Sequence, residues 1–250
     1  MEEGNWYAST LARGLSLIEA FGHDAVWLGN AELARRTGLS KPTVSRLSAT
    51  LVELGYLNRG EGGKVQPGAR LLALSYPVLR GLPIRQLARP LMMEVARDIR
   101  GAVSIGIASR LSAIMIETAR TMEPHPRSPD IGNHAPLIQS AMGRALLAQF
   151  DAARLEQVLK QSSVEFPALW ELHQAKTMQA IADCVRQGYC VAYGDYHPNI
   201  HAVGVPLLTL PNGAVLSMNC GIQPFRLAPN QLVDEIAPKL VALAASICEL

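Results

Sequence analysis

Near the amino terminus, apolar residues recur at helical rather than strand spacing. Four of them repeat at intervals of three or four positions, which predicts an amphipathic helix over residues 10–21. They are Leu11, Leu15, Ile18 and Phe21. Gly22 follows directly and is expected to end this first helix.

Two further helices are predicted on either side of a glycine turn. The first begins at Asn30, whose side chain is expected to cap it. Gly38 supplies the turn, and Ser40 is expected to cap the next helix, with Pro42 in the first turn, where a missing N–H costs little. Gly55 is expected to close that helix as its C-cap. Helix, sharp turn and helix form the shape that fits a DNA major groove.

A hairpin and a further helix follow. Residues 56–59 and 64–66 are predicted strands around the tip Gly60-Glu61-Gly62-Gly63. Three helices and a hairpin make a winged helix-turn-helix. Another helix begins at Arg70 and is expected to be interrupted at Pro77. We therefore expect a winged helix-turn-helix DNA-binding domain over residues 1–70, a linker helix over 71–83 and an effector-binding domain over 84–250.

In the remaining chain, predicted helices and strands mix without regular alternation, which indicates an α+β domain with a largely antiparallel sheet. Residues 122–133 contain three prolines and are expected to form a loop. The predicted helices cover residues 87–100, 137–150, 152–161, 168–187 and the chain from about 229, and the predicted strands cover 103–108, 113–118, 189–192, 202–210 and 214–220.

The helix after Gly38 has two contrasting faces. Its apolar positions lie within about 80° of one another and are expected to be buried. They are Val44, Leu47, Leu51 and Leu54. The opposite face is small, polar and basic, so it suits a groove about 12 Å wide, where Arg46 could donate two hydrogen bonds to a guanine. The predicted DNA contacts are Arg35, Arg36, Ser40, Lys41, Pro42, Thr43, Ser45 and Arg46, with Arg59 and Lys64 on the hairpin.

The distribution of charge supports this interpretation more than the total does. The net charge is +2, but residues 26–70 carry seven basic and three acidic side chains, a local +4. A merely solvated polar face is the alternative, and the agreement of turn, hairpin and charge favours DNA. A phosphate-binding loop at residues 60–64 is disfavoured, because Val65 follows Lys64 where such a loop needs Ser or Thr.

Composition excludes other classes. The acidic amino terminus is unlike a signal peptide. The uncharged residues 202–222 are long enough to span a membrane, but Pro206 and Pro211 interrupt them. Four cysteines without a CxxC pair predict reduced thiols and a cytoplasmic protein with no membrane partner.

Catalytic and metal signals are weak in the second domain. His197 and His201, with Cys190 and Asp195 nearby, lack a recognised zinc spacing. There is no GxSxG elbow, and a Cys–His dyad would have to pair buried-strand cysteines such as Cys190 with a loop histidine. We expect no catalytic residue, no metal and no cofactor. Small, uncharged strand residues instead favour a binding pocket.

Arg127, in the proline-rich loop, is a candidate anchor for a carboxylate, with a solvated loop arginine as the alternative.

The sequence resembles the IclR (isocitrate lyase regulator) family of bacterial transcription factors. The matching stretches follow the family's order along nearly the whole chain. They are STLARGLSLIEAF at 9–21, AELARRTGLSKPTVSRL at 31–47, LVELGYL at 51–57, SAMGRALLA at 140–148 and RQGY at 186–189.

The resemblance implies a winged helix-turn-helix, a linker helix and a C-terminal GAF-like α/β effector-binding domain. It implies homodimers, commonly paired as dimers of dimers, on double-stranded operators with inverted half-sites, and a small organic acid effector. The implied pocket residues are Arg127, Ile131, Ala135, Ala141, Met142, Ala192, Ile200, Ala202, Asn219 and Gly221.

The chain departs from the family pattern at several of these positions. Many members have an acidic residue where this chain has Ala192-Tyr193, glycine in place of Asn199, and hydroxyls in place of Asn219 and Gly221. The pocket is therefore expected to be less acidic and roomier, which favours an aromatic or acyl carboxylate with its anion near Arg127. We predict an effector-responsive regulator of a catabolic operon; the alternative is a small-molecule enzyme with a DNA-binding appendage.

Overall fold

Two units, Met1–Gly81 and Leu82–Leu250, make up the chain, and the computed structural model describes residues 7–22, 26–121 and 129–250. The boundary between the units falls inside the segment 71–83 that the sequence assigns to a linker. The finer division into residues 1–70, 71–83 and 84–250 stays a prediction.

The first unit has helices and a short hairpin in the predicted order. Its elements are α1 (Ser9–Glu19), α2 (Asn30–Thr37), α3 (Lys41–Glu53), β1 (Leu57–Arg59), β2 (Val65–Pro67) and α4 (Arg70–Arg80). β1 and β2 pair antiparallel, and Leu28 adds a bridge to Val65. The core comprises Leu17, Leu28, Leu33, Val44, Leu51, Leu57 and Val65.

Two glycines with positive φ end the helices of the turn motif. Gly38 has φ 71° and donates its N–H to the carbonyl of Ala34. Gly55 has φ 76° and donates to Val52, while the Tyr56 N–H reaches back to Leu51. These two bonds form a Schellman motif, which satisfies carbonyls that the end of α3 leaves open.

Several local expectations for this unit are wrong. Asn30 lies inside α2 rather than capping it, because Gly29 occupies the N-cap position. Leu54 is 47% exposed, since α3 has ended and the chain turns there, and Ser48 is buried on that helix instead. Pro77 lies inside α4, so the helix continues to Arg80 rather than stopping at the proline.

The second unit combines helices with one sheet. Its elements are α5 (Ile84–Asp98), β3 (Ala102–Ser109), β4 (Ser112–Arg120), β5 (His134–Pro136), α6 (Ala141–Leu147), α7 (Ala152–Glu165), α8 (Pro167–Gln187), β6 (Cys190–Tyr193), β7 (His201–Thr209), β8 (Val215–Ile222) and, after a π-helical segment (Leu232–Ile236), α9 (Ala237–Cys248).

The described residues form a six-stranded sheet in the order β5-β4-β3-β8-β7-β6, and its neighbouring strands pair antiparallel. α5 and α9 cover one face, where residues such as Val103, Val205 and Met218 join the largest core. Because side chains alternate along a strand, the residues between them point to the other face, where α6 and α8 lie. The predicted α+β class with an antiparallel sheet is confirmed.

Most element predictions for this unit hold apart from their ends. β5 was not predicted, since its three residues are too short to show alternation. The helix expected from residue 137 begins at Ala141, because the Ser140 hydroxyl caps it by accepting from the Gly143 N–H at 3.0 Å.

Candidate functional site

The outward face of α3 is solvent-exposed along its length. Lys41, Pro42, Ser45 and Arg46 are all exposed, whereas Val44 is fully buried in the core. The buried side therefore fixes the helix on the domain and leaves the opposite side available to a ligand. This brings together the residues that the sequence predicted as DNA contacts on this helix.

The start of α3 is polar and open. The first backbone N–H to bond within the helix is that of Val44, to the Ser40 carbonyl at 3.0 Å. The Ser40 side chain does not cap a described N–H of the helix; its Oγ lies 2.9 Å from Oγ1 of Thr43 instead. Helix N-termini with free N–H groups attract phosphate. The two hydroxyls stand at such a terminus.

A side-chain clamp joins α2 to α3. Nδ2 of Asn30 donates to Oγ of Ser45 at 2.8 Å and to the carbonyl oxygen of Lys41 at 3.2 Å. The angle between the two helices is therefore held partly by one amide. Sequence reasoning missed this role, because an asparagine at a helix start resembles a cap and its true partners lie 11 and 15 positions away.

Arg35 and Arg36 share one carboxylate on α2. Arg35 donates to both oxygens of Glu32, at 2.8 and 2.6 Å, and Arg36 donates to Oε1 at 2.7 Å. Hydrogen bonds from Arg35 and then Arg36 lower the pKa of Glu32 to about 2. The Arg36 side chain also reaches the Ala20 carbonyl and is 20% exposed, against 71% for Arg35. Arg35 is thus the more accessible of these two predicted contacts.

The hairpin presents its predicted basic residues to solvent. Arg59 and Lys64 are both exposed at the ends of the strands that flank the tip. The Gly60 N–H donates to the Lys64 carbonyl at 2.9 Å. Any side chain at Gly60 would overlap the ring of Trp27, so the glycine lets this indole lie against the tip. The Trp27 ring therefore packs against the hairpin tip next to Arg59 and Lys64.

Several predicted effector residues in the second unit align across the sheet. Ala192 on β6 is opposite Ala202 on β7, Ala202 is opposite Gly221 on β8, and Gly221 is opposite Ala102 on β3. Directly opposed residues point to the same face of a sheet. We call this set, which ends with Arg120 opposite Ala102 on β4, the first row.

A second row lies two residues further along each strand on the same face. It runs from Cys190 through Gly204, Asn219 and Ser104 to Thr118. Ser104 and Thr118 are buried, and their hydroxyl oxygens lie 3.0 Å apart. This row therefore places two hydroxyls and an amide beside the small residues of the first row.

The start of α6 packs directly on the second row. A methyl group at Gly204 would overlap the carbonyl oxygen of Ala141, so the helix backbone lies directly on the second row. Met142 is fully buried against Gly106, and its carbonyl accepts from Ser217 at 2.9 Å. Ala192 and Ala202 of the first row are buried in one cluster with Ala141 and Ala145, so α6 also packs against that end of the first row. The Ile200 side chain lies over its centre, with Cγ2 3.2 Å from where a Cβ at Gly221 would be.

The other predicted effector residues are more dispersed. Ala135 is buried on β5 in the same cluster as Met142, while Ile131 is exposed in the segment before that strand. Arg127 lies outside the described residues. The structure therefore brings Ala192, Ala202, Gly221, Asn219 and Ile200 together, places Ala141 beside them, and separates Ala135 and Met142 from them.

The segment between β6 and β7 is held by a buried charge. Asp195 pairs with Arg144 of α6 at 2.7 Å and with Lys176 of α8, and the side chains of Asp195 and Arg144 are almost fully buried. Burial alone would raise the pKa of Asp195, but hydrogen bonds from Lys176 and Arg144 outweigh it and lower that pKa. This ion pair fixes the segment that leads to Ile200. Its partners are 51 positions apart, so no local sequence pattern indicates it.

Three of the four thiols, those of Cys184, Cys190 and Cys220, are buried. Burial raises the pKa of Cys220 to about 12, so this thiol stays protonated. Within the described ranges, no group of three or more His, Cys, Asp or Glu residues is placed to hold a metal ion. Over the same residues, no helix combines the length and apolar character needed to cross a membrane.

Two surface cavities lie elsewhere in the second unit. One, of about 530 Å³, is between α7 and α8 and includes Leu155 and Trp170. The other, of about 400 Å³, is between α5 and α9 and includes Leu91 and Leu243. Neither is lined by a predicted effector residue, so the candidate effector site rests on strand register rather than on either cavity.

Comparison with known proteins gives consistent matches. The family model "Bacterial transcriptional regulator IclR C-terminal" matches residues 76–249, and "IclR helix-turn-helix domain" matches residues 10–61. The HTH-type transcriptional regulator TsaQ1/TsaQ2 of Comamonas testosteroni is 32% identical over 212 residues, covering 84% of this chain and 76% of that protein.

Solved structures agree with these matches. An IclR family transcriptional regulator from Brucella abortus is 35% identical with a TM-score of 0.84, covering 99% of this chain and 94% of its own. An IclR homolog from Microbacterium hydrocarbonoxydans, solved in complex with 4-hydroxybenzoate, is 25% identical with a TM-score of 0.70, covering 96% of this chain and 98% of its own.

Proposed function

Because this chain belongs to the IclR family of bacterial transcriptional regulators, and is a DNA-binding regulator of transcription rather than an enzyme, we propose that it couples a small aromatic carboxylate to operator binding. The exposed face of α3 contacts the bases, and the first row of the sheet receives the effector. The segment over residues 71–83 is the covalent route between them.

The observation that carries the DNA part is the exposed face of α3. Arg46 is a long donor among small neighbours such as Ser45 and Ala49, all of them exposed. A guanidinium on such a face can donate to guanine O6 and N7 in the major groove. Lys41, Thr43 and Ser40 at the helix start suit phosphate oxygens, which fix the register without selecting a base. Arg59 and Lys64 of the hairpin add backbone contacts.

The effector part rests on the chemistry of the first row. Ala102 and Gly221 are partly exposed and lie in line with the small Ala202 and Ala192, and none of the four carries the acidic side chain that would repel an anion. Asn219, the partly exposed amide beside it, can hydrogen-bond a ring hydroxyl. The 4-hydroxybenzoate complex of the Microbacterium hydrocarbonoxydans homolog supports an effector of this class. We keep Arg127 as a further candidate for its anion.

A dimer is supported by apolar residues that the first unit leaves exposed. In the part of the chain that the structure describes, α4 buries none of its 11 residues, although it is rich in leucine. Leu72, Leu74, Tyr76 and Val78 on α4, and Leu11 and Leu15 on α1, are all at least half exposed. A second copy would cover such faces. It would also place two α3 helices on half-sites about 34 Å apart, and two dimers could pair.

The proposal is tested with full-length protein and the DNA upstream of its own gene. Fluorescence anisotropy measures binding with and without 4-hydroxybenzoate, benzoate or pyruvate, each at matched ionic strength. We expect binding to that DNA over a scrambled fragment, and a change of affinity with the aromatic acids only. A response to pyruvate alone would contradict the aromatic effector, and equal binding to both fragments would contradict operator recognition.

A further inference from the structure

Arg120 is the charged member of the first row. It lies at the end of β4 opposite Ala102, in line with Gly221, Ala202 and Ala192. Its position is therefore on the face of the sheet that holds the candidate effector site, at one edge of the small residues. Along this row, the guanidinium of Arg120 is the group that can form a charge-assisted bond to a ligand.

The guanidinium of Arg120 is hydrogen-bonded to two neighbouring residues before β5, Pro129 and Asp130. It donates to the Pro129 carbonyl at 2.6 Å and to Oδ2 of Asp130 at 3.0 Å. The Arg120 side chain is 23% exposed, whereas that of Asp130 is 58% exposed. Oδ1 of Asp130 also accepts from the Ile131 N–H at 2.8 Å. Asp130, the more exposed partner, thus holds the guanidinium and fixes the backbone of its neighbour.

We propose that Arg120 binds the carboxylate of the effector, and that Asp130 occupies this guanidinium until the effector displaces it. This inference rests on the proposed function and adds the group that selects an anion. A planar guanidinium donates hydrogen bonds in the same geometry to any carboxylate, whether of Asp130 or of a ligand. The effector's anion can therefore take the place of the Asp130 side chain. The small residues of the row then receive the apolar body of the ligand.

Displacement would reach the backbone as well as the side chain. Ile131, a predicted pocket residue, directly follows Asp130 and loses its hydrogen bond when that carboxylate swings to solvent. Asn133, two residues further, donates its own N–H to the Asp130 carbonyl at 3.1 Å. Effector binding at Arg120 therefore rearranges the segment that leads into β5.

The test measures binding of 4-hydroxybenzoate, benzoate and pyruvate to full-length protein by titration calorimetry, with 4-hydroxybenzamide as the uncharged probe. Arg120→Gln should lower the affinity for the carboxylates by about 10- to 100-fold, since a hydrogen bond to a charged group is lost. Arg120→Lys should restore part of that loss. Asp130→Asn should tighten carboxylate binding by up to about fivefold, because the exposed competitor is removed. Binding of the amide should change little in any variant.

The opposite signs separate this role from a structural one. If the pair only tethered its segment, Arg120→Gln and Asp130→Asn would weaken binding alike, and that result would overturn the inference. Arg186→Gln removes a matched Arg–Asp pair on α8, with Asp183 as its partner, and should leave affinity unchanged.

The outcomes also separate this inference from the proposed function. Aromatic acids that bind the wild type and Arg120→Gln equally would overturn the role of Arg120 and leave the aromatic effector standing. If the wild type binds pyruvate and not the aromatic acids, and Arg120→Gln weakens that binding, the role of Arg120 stands and the aromatic effector is overturned. If none of the three carboxylates binds the wild type, the inference is overturned, while operator binding is judged by its own assay.

Discussion

Nδ2 of Asn30 donates a hydrogen bond of 2.8 Å to Oγ of Ser45, joining the first residue of α2 to the exposed face of α3. The same amide nitrogen reaches the carbonyl oxygen of Lys41. One side chain thus bridges the two helices of the turn motif, next to the residues that we expect to contact DNA. The position of α3 relative to α2 therefore depends on this hydrogen bond as well as on packing in the core.

Asn30→Ala should loosen α3 on the domain. We expect the free energy of unfolding of the first unit to fall by about 1 kcal/mol, the net value of a typical hydrogen bond, and operator affinity to fall with it. Denaturant unfolding and anisotropy measure the two effects. Ser45→Ala should show a smaller loss of stability than Asn30→Ala, since Asn30 keeps its bond to the Lys41 carbonyl there. Wild-type values for Asn30→Ala would show that the clamp is dispensable.

Lys64→Gln should weaken DNA binding without changing which sequence is preferred. A phosphate contact contributes counterion release, so the slope of log affinity against log salt should decrease by about 1. Arg59→Gln should behave similarly. Arg186→Gln removes an exposed arginine of the second unit and should leave the slope unchanged. A change of base preference in Lys64→Gln would contradict a backbone role.

Gly204→Ala should destabilise the second unit, whereas Gly221→Ala should not. The new methyl group at residue 204 meets the backbone carbonyl of Ala141, and overpacking of this kind costs about 1–3 kcal/mol. At residue 221 it lies 3.2 Å from Cγ2 of Ile200, and a shift of a few tenths of an ångström in that side chain relieves the contact. Thermal unfolding compares the melting temperatures of the two variants. Titration of Gly221→Ala with the effector measures how far the added methyl group lowers the affinity of the site. Equal melting temperatures would contradict this view of α6 on the sheet.

His173 should make stability depend on pH. Burial is the main cause that lowers its pKa below 6.5; the charge of Asp195 opposes it, and Arg144 and Lys176 add to it. The folded state therefore favours the neutral ring. The contribution of the neutral ring to the free energy of unfolding is complete above pH 6.5, the pKa of an unperturbed histidine. It is lost as the pH falls below that value. The melting temperature should drop from pH 7 to pH 5, and less steeply in His173→Gln. Parallel profiles for the two proteins would exclude this residue as the cause.

The parts of the fold that the sequence predicts are those with local causes. Gly38 and Gly55 end helices because they adopt positive φ, and α1 and α3 show an apolar stripe that short-range spacing reveals. Asn30 shows the limit of such reasoning. Its amide has a better partner across the turn than at its own helix start, and only the packed domain decides between them.

The candidate effector site depends on pairings between distant segments. Ala192, Ala202 and Gly221 were predicted through a family resemblance, and their common row follows from strand register, which no single strand encodes. Arg120 was missed for the same reason, since its place beside these residues depends on its pairing with Ala102. Neither the row nor the Asp195–Arg144 pair has a signal in the local pattern.

The most direct test of the account is the base preference of Arg46→Ala. Competition binding against every single-base variant of the operator should show that the wild type discriminates a guanine in each half-site by about 1–3 kcal/mol. Arg46→Ala should lose that discrimination at this position and keep the others. An unchanged preference profile, at any affinity, would contradict the claim that the exposed face of α3 contacts the bases.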